Sequence, residues 1–218
     1  MLRKIALLVC LTLTACGDLK LHAGPADESK ETIMAIDGVK YISSAIGDGA
    51  SHETYEQRSY RIGPEARLLM RFESLQSVAG KVQANKPVQI RVILLEGIDA
   101  GTARSQLTIC PIRRDWNMLA SWQRAHPWKG GGWTTAGGDL ETEDCASAEP
   151  QEAPPATGSS APCSDSSTLC FGLNSWFNNY VLQRDLNYGV ALISKGEQSY
   201  QVYGDGSGAK APRIYWQQ

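Results

Sequence analysis

Two groups of side chains have spacings that could support hydrolysis, but neither has the surroundings that this chemistry requires. Ser207 and Lys210 share the spacing of penicillin-recognising enzymes, in which the lysine must lie one helical turn from the serine. Three glycines between residues 204 and 208, together with Pro212, are incompatible with such a helix, so we predict a turn. His126 and Asp139 could belong to a triad, but no serine occupies a Gly-x-Ser-x-Gly nucleophile elbow.

Carboxylates form a third candidate group at Glu141, Glu143 and Asp144. Paired acids of this kind cleave glycosidic bonds when their geometry is fixed. These three lie in an acidic segment, residues 141–168, that is rich in Pro and Ser and nearly free of large apolar side chains. Such a segment cannot bury enough surface to offset its ordering entropy. We therefore predict a mobile insertion here and a protein that is not an enzyme.

Two Gly-Asp-Gly sequences could supply oxygen ligands to calcium through Asp48 and Asp205. The same residues are favoured in tight turns for purely geometric reasons. The sequence predicts no cofactor, and structural calcium is the alternative.

The first 16 residues predict a lipid anchor at Cys16. Arg3 and Lys4 precede a short apolar run, and Leu13–Cys16 (LTAC) matches the bacterial lipobox. Residues 1–15 are then a signal peptide, and residues 16–35 form a lipidated flexible tether. Gly17 stands where an Asp would retain a lipoprotein at the inner membrane, which favours the outer membrane of the bacterial cell envelope. The lipid is expected to be the only attachment to the membrane.

Export also bears on the remaining cysteines and on the charge. Cys110, Cys145, Cys163 and Cys170 are an even set in an oxidising compartment, so we expect two disulfides. Three pairings are open, with a slight preference for Cys145 with Cys163. Loss of Arg3 and Lys4 with the leader lowers the net charge from −2 to −4, which argues against a nucleic-acid partner.

Four tryptophans lie within residues 105–139. Trp116 and Trp122 follow a strand and are expected in the core. Trp128 and Trp133 bracket three glycines with little side-chain bulk to cover them, so they are the ligand-binding candidates.

The elements that position these residues are predicted to be short strands separated by Gly and Pro. This pattern is typical of an all-β sandwich or barrel. A single short helix is predicted over residues 175–184, and the β-sandwich domain is assigned to residues 36–218. The predicted strands cover residues 39–44, 60–62, 68–72, 88–95, 107–112, 188–193, 200–203 and 213–216.

Several short motifs occur in a fixed order between residues 37 and 216. They are Arg67–Phe72 (RLLMRF), the Trp116 and Ser121–Trp122 corner, Phe171–Asn174 (FGLN), Asn187–Leu192 (NYGVAL) and Ala211–Trp216 (APRIYW). In this order they resemble the DNRLRE domain family, a jelly-roll β-sandwich similar to carbohydrate-binding modules. Gly172 stands where that family has an Asp. The resemblance implies a binding or structural role rather than catalysis.

Together these observations predict an envelope lipoprotein whose domain binds glycan or envelope polysaccharide. One alternative is a structural or assembly lipoprotein that binds another envelope protein. A second alternative is a polysaccharide-processing enzyme.

The lipid assignment makes a direct prediction. Replacing Cys16 with Ala removes the thiol that would be acylated, so the variant should accumulate uncleaved and should not incorporate radiolabelled palmitate in cells. Undiminished labelling of Cys16→Ala would contradict the assignment.

Overall fold

The computed structural model describes residues 33–35, 41–47, 59–73, 75, 88–128, 130–151, 163–182 and 186–217; for residues 33–35, 41–45, 205 and 216–217 it describes only the backbone. The described chain is mostly β-strand, with every strand pair antiparallel. The strands are β1 (Ile33–Ala35), β2 (Tyr41–Gly47), β3 (Ser59–Ile62), β4 (Ala66–Phe72), β5 (Val88–Ile93), β6 (Leu107–Pro111), β7 (Ala146–Ser147), β8 (Thr168–Gly172), β9 (Val190–Ser194), β10 (Tyr200–Tyr203) and β11 (Arg213–Gln217).

Two sheets give the fold its sandwich-like form. The first has four strands in the order β1-β11-β5-β8, and the second has five in the order β2-β4-β9-β6-β7. A third, two-stranded sheet pairs β10 with β3, and Leu94 links it to the end of β5 through a bridge to Val202. The all-β prediction is confirmed.

Side chains from both sheets form one main core. In β5 the buried residues Val88, Ile90 and Val92 alternate with half-buried ones, which is the period expected of a strand with one face inward. In β4 the inward side chains are Leu68, Met70 and Phe72, each at most 2% exposed. They belong to the same cluster as Leu169 and Phe171 of β8 and Ile214 of β11.

The outer face of the five-stranded sheet is also buried. The segment that covers it, residues 112–140, is called the cover loop below. Leu69 of β4 and Ala191 of β9 pack there with Trp116, Ala120, Ala125 and Trp133 of the loop in a second cluster. An antiparallel sheet commonly leaves one face to solvent. This sheet is instead buried on both sides.

The helix predicted over residues 175–184 is confirmed in its described part. A short α-helix, Asn174–Trp176, continues as a π-helix, Phe177–Leu182, and buries Trp176, Phe177, Tyr180 and Val181. The expectation of a single helix is wrong, because Ala100–Gln106 forms another. Asp99 caps it by accepting hydrogen bonds from the amides of Gly101 and Thr102. Only Ala103 is buried in this helix, so its sequence lacks the apolar periodicity from which a helix could be predicted.

Two predicted boundaries need correction. The flexible tether predicted to reach residue 35 ends earlier, because β1 already pairs with β11 from Ile33. The mobile insertion predicted over residues 141–168 is shorter than that, because both of its ends belong to the fold. Residues 142–144 form a 3₁₀ helix and β7 pairs with β6. At the other end, the amide of Thr168 donates to the carbonyl of Asp165. The middle, residues 152–162, lies outside the described residues.

The four cysteines that were expected to pair form two disulfides, as predicted, but the preferred pairing is wrong. The bonds are Cys110–Cys145 and Cys163–Cys170. Cys145 lies beside the end of β6 because β7 pairs with that strand, so its nearest thiol is Cys110. The Cys110–Cys145 bond closes the cover loop at its base.

The contact between β9 and β4 predicts a specific glycine requirement. Gly189 has a φ of 81°, and a Cβ there would overlap the carbonyl oxygen of Met70. Gly97 has a φ of 83° but open space around it. Positive φ alone costs a side chain about 1–2 kcal/mol, and overpacking adds about 1–3 kcal/mol. Urea unfolding should therefore show that Gly189→Ala lowers the free energy of unfolding clearly more than the matched Gly97→Ala does. Equal losses would contradict the close approach of the two strands.

Candidate functional site

The cover loop is held to the sheet by tryptophans that meet arginines of β4. Trp116 is fully buried, and its indole N–H donates to the carbonyl of Tyr188 at 2.6 Å. The guanidinium of Arg71 lies 5.2 Å from the centre of the Trp116 ring and donates to Asp115 at 2.8 Å. The expected core position of Trp116 is confirmed.

Trp122 forms the second anchor, with Arg67 and Gly137. Arg67 lies 4.9 Å from the centre of the Trp122 ring and donates to the carbonyl of Gly137 at 2.6 Å. Burial lowers the pKa of the Arg67 guanidinium, but an arginine keeps its proton at physiological pH. A Cβ at Gly137 would lie 2.7 Å from the Trp122 ring, so only glycine allows this approach. Trp122 is half-buried here, at the edge of the second cluster.

The prediction that Trp133 is an uncovered ligand-binding side chain is wrong. This side chain is 8% exposed, belongs to the buried second cluster, and its indole N–H donates to the carbonyl of Ser121 at 2.8 Å. The glycines before it, which suggested an uncovered loop, let the chain turn back onto the sheet. Gly130, for example, has a φ of 62°. Trp133 is therefore part of the support, and only Trp128 remains as the binding candidate.

Trp128 is 76% exposed, the highest value for any large apolar side chain that the structure describes. It lies at a tip whose base is closed by a hydrogen bond from the Ala125 amide to the Gly131 carbonyl, at 3.1 Å. The amide of Asn117 donates in turn to the carbonyl of Ala125, at 3.3 Å. The exposed side chains of Met118 and Leu119 follow Asn117 directly, each 37% exposed. The loop thus presents a ring and two aliphatic side chains to solvent.

The candidate catalytic pairs from the sequence are not assembled. His126 lies 3.4 Å from Asp115, while Asp139 pairs with Arg114 at 3.5 Å and accepts from the amide of Thr135. Each of these two aspartates thus contacts other residues of the cover loop.

Ser207 and Lys210 are likewise not assembled for catalysis. They lie in a 3₁₀ segment, Asp205–Lys210, that is interrupted at Gly208. Lys210 donates to the Tyr203 hydroxyl at 3.0 Å. No α-helix forms over these residues, as the glycines and Pro212 predict, but the predicted turn is a short interrupted 3₁₀ helix.

The acidic group has a different setting from the one predicted. Glu141 pairs with Arg113 at 3.3 Å, whereas Glu143 and Asp144 line a small pocket of about 170 Å³ beside Trp176. Asp144 accepts a hydrogen bond from the Tyr180 hydroxyl at 3.1 Å. A second, shallow pocket of about 290 Å³ is lined by Thr102, Gln106, Gly196, Glu197 and Gln198. Neither pocket offers an exposed aromatic ring.

The remaining predicted sites can be placed only in part. Cys16 and Asp48 lie outside the described residues, and Asp205 is described only by its backbone at the start of the 3₁₀ segment. Within the described ranges, no three His, Cys, Asp or Glu side chains are grouped so that they could hold a metal. Among the helices of those ranges, none is long and apolar enough to cross a membrane.

No model of a known protein family matches this sequence, and no curated protein sequence matches it significantly. The resemblance to DNRLRE domains remains a prediction. Sequence reasoning missed the roles of Arg67 and Arg71. The signal was present, because the alternation in Arg67–Phe72 places both arginines on the face opposite Leu68 and Met70.

The contrast between Trp133 and Trp128 makes a stability prediction. Trp133→Ala leaves a cavity and removes one of the two hydrogen bonds that the Ser121 carbonyl accepts, so it should lower the free energy of unfolding by about 3–5 kcal/mol. Trp128→Ala removes an exposed ring from the same loop and should change stability by less than about 0.5 kcal/mol. Thermal melts and urea unfolding of both variants test this. A stable Trp133→Ala variant would show that the ring is not buried.

Proposed function

We propose that this chain is a lipid-anchored protein of the bacterial cell envelope, held at the outer membrane, whose β-sandwich binds a glycan or envelope polysaccharide through Trp128. The carrying observation is the exposure of this one ring, 76%, on a loop whose other three tryptophans are buried or half-buried. An exposed ring of this size has no packing function to explain it.

The supports beneath Trp128 favour binding over an inert loop. The cover loop is fixed by the Trp116, Trp122 and Trp133 contacts and by the Cys110–Cys145 bond, so its base has little freedom to lose. A preorganised aromatic loses less entropy when it meets a ligand than a side chain on a free loop does. The flat face of an indole suits the apolar face of a pyranose, which favours a sugar as ligand.

The proposal is tested with the full-length protein, purified in a non-ionic detergent, on an array of neutral and acidic envelope glycans. Trp128→Ala should reduce affinity for the bound glycans at least about tenfold while melting as wild type does. Trp128→Phe keeps a ring face and should retain part of the affinity. Met118→Ala is the matched control from the same loop and should leave affinity unchanged. Undiminished binding by Trp128→Ala would exclude this residue from the glycan site.

Recognition of another envelope protein is the second candidate, and one observation favours it. Of the four exposed large apolar side chains among the described residues, Met118, Leu119 and Trp128 share the cover loop. An apolar group of this kind is typical of a protein contact. In that case Met118→Ala and Leu119→Ala would lower the affinity for the partner protein as much as Trp128→Ala does, and the glycan array would show no binding.

A further inference from the structure

A second surface, on the opposite side of the sandwich, has charges that folding does not explain. On the outer face of the four-stranded sheet, Arg213 of β11 lies directly opposite Arg91 of β5. Like charges at directly opposed positions of neighbouring strands destabilise a sheet. Among the acidic residues that the structure describes, none forms an ion pair with either arginine within 4.0 Å.

Arg91 is fixed in place but incompletely bonded. Its guanidinium lies 5.0 Å from the centre of the Tyr215 ring and makes one hydrogen bond, at 3.3 Å, to the carbonyl of Ala209. Its Nε is buried without a hydrogen-bond partner. A buried donor left without a partner is unfavourable, so the arrangement lowers stability twice, through this atom and through the facing charge of Arg213.

A third cation borders the pair. Lys210 lies 4.5 Å from the centre of the Tyr203 ring, at the end of the 3₁₀ segment whose Ala209 carbonyl receives the Arg91 bond. The pKa of Asp165 lies below its ordinary value, mainly because Ser167 donates to it and to a smaller extent because Arg91 and Lys210 are near. Asp165 is thus a described carboxylate that competes for this surface, although its hydrogen-bond donors belong to Ser167. Glu96 is a second, since together with Asp165 it raises the pKa of Lys210, for which the hydrogen bond to Tyr203 is the main cause.

We propose that Arg91 and Arg213 form an anion site that binds the carboxylates of an acidic glycan, with Lys210 at its border. A guanidinium binds a carboxylate through two parallel hydrogen bonds, and two facing guanidinium groups suit a chain that bears a carboxylate on each sugar. Among the described side chains of β5, β8 and β11, none is an exposed large apolar one, so these strands favour a soluble acidic chain over a lipid surface. The inference is independent of Trp128, which lies on the loop that covers the other sheet.

The test is isothermal titration calorimetry of the full-length protein, in a non-ionic detergent, with oligogalacturonate and with a neutral gluco-oligosaccharide of equal length. The acidic ligand should bind more tightly, and Arg213→Gln should weaken it at least about tenfold. Arg213 is exposed, so this variant should fold. Arg113→Gln removes the same charge from the cover loop and is the matched control, with a change of less than about twofold.

Two further variants separate this site from the others. Asp165→Asn keeps an oxygen for Ser167 but removes the competing charge, so it should strengthen oligogalacturonate binding. Trp128→Ala should leave it unchanged. Equal weakening by Arg213→Gln and Arg113→Gln would overturn the proposal. So would equal affinity for inorganic phosphate or for the soluble lipid headgroup glycerol phosphate, which carries no acyl chain.

Discussion

The partial burial of two arginines on the outer face of β4 is the constraint on which the cover loop depends. Arg67 and Arg71 flank Leu69 on a strand whose other face is the main core, so neither can be removed from the sheet. Desolvating a guanidinium is costly unless its charge and its donors are satisfied. The loop supplies both, with the rings of Trp122 and Trp116 and with oxygen acceptors at Gly137 and Asp115. Covering this face therefore stabilises charge as well as apolar surface.

This arrangement also explains why the loop can be long and still ordered. Its ends are joined by the Cys110–Cys145 bond, whose cysteines are 35 residues apart in sequence. Closing a loop of that length in the unfolded chain contributes about 3–4 kcal/mol in the entropic account. The tryptophan contacts then have less conformational entropy to offset. Gly137 completes the packing, since a larger residue would displace the ring that lies against Arg67.

The sequence predicts the strands well and the covering of the sheet poorly, for one physical reason. A strand such as β5 is recognisable because its buried side chains alternate over a few residues. Whether Trp133 is buried depends on contacts outside its own segment, because the glycines before it are equally compatible with an open loop. Trp116 bonds to Tyr188, which is 72 residues away. The pairing of Cys145 with Cys110 likewise follows from the register of β7 on β6, which no local pattern contains.

The cover loop gives the outer faces of the two sheets different surroundings. On the five-stranded sheet, Arg67 and Arg71 have aromatic and oxygen partners supplied by the loop, so their charge is used within the fold. On the four-stranded sheet, Arg91 has the Tyr215 ring and one carbonyl, and Arg213 faces it with no described acidic partner. One sheet thus shows what a satisfied outward arginine requires in this protein. Arg91 has the same two kinds of partner as Arg67, a ring and a carbonyl, so the difference between the sheets is the facing charge of Arg213, which the anion proposed above would neutralise.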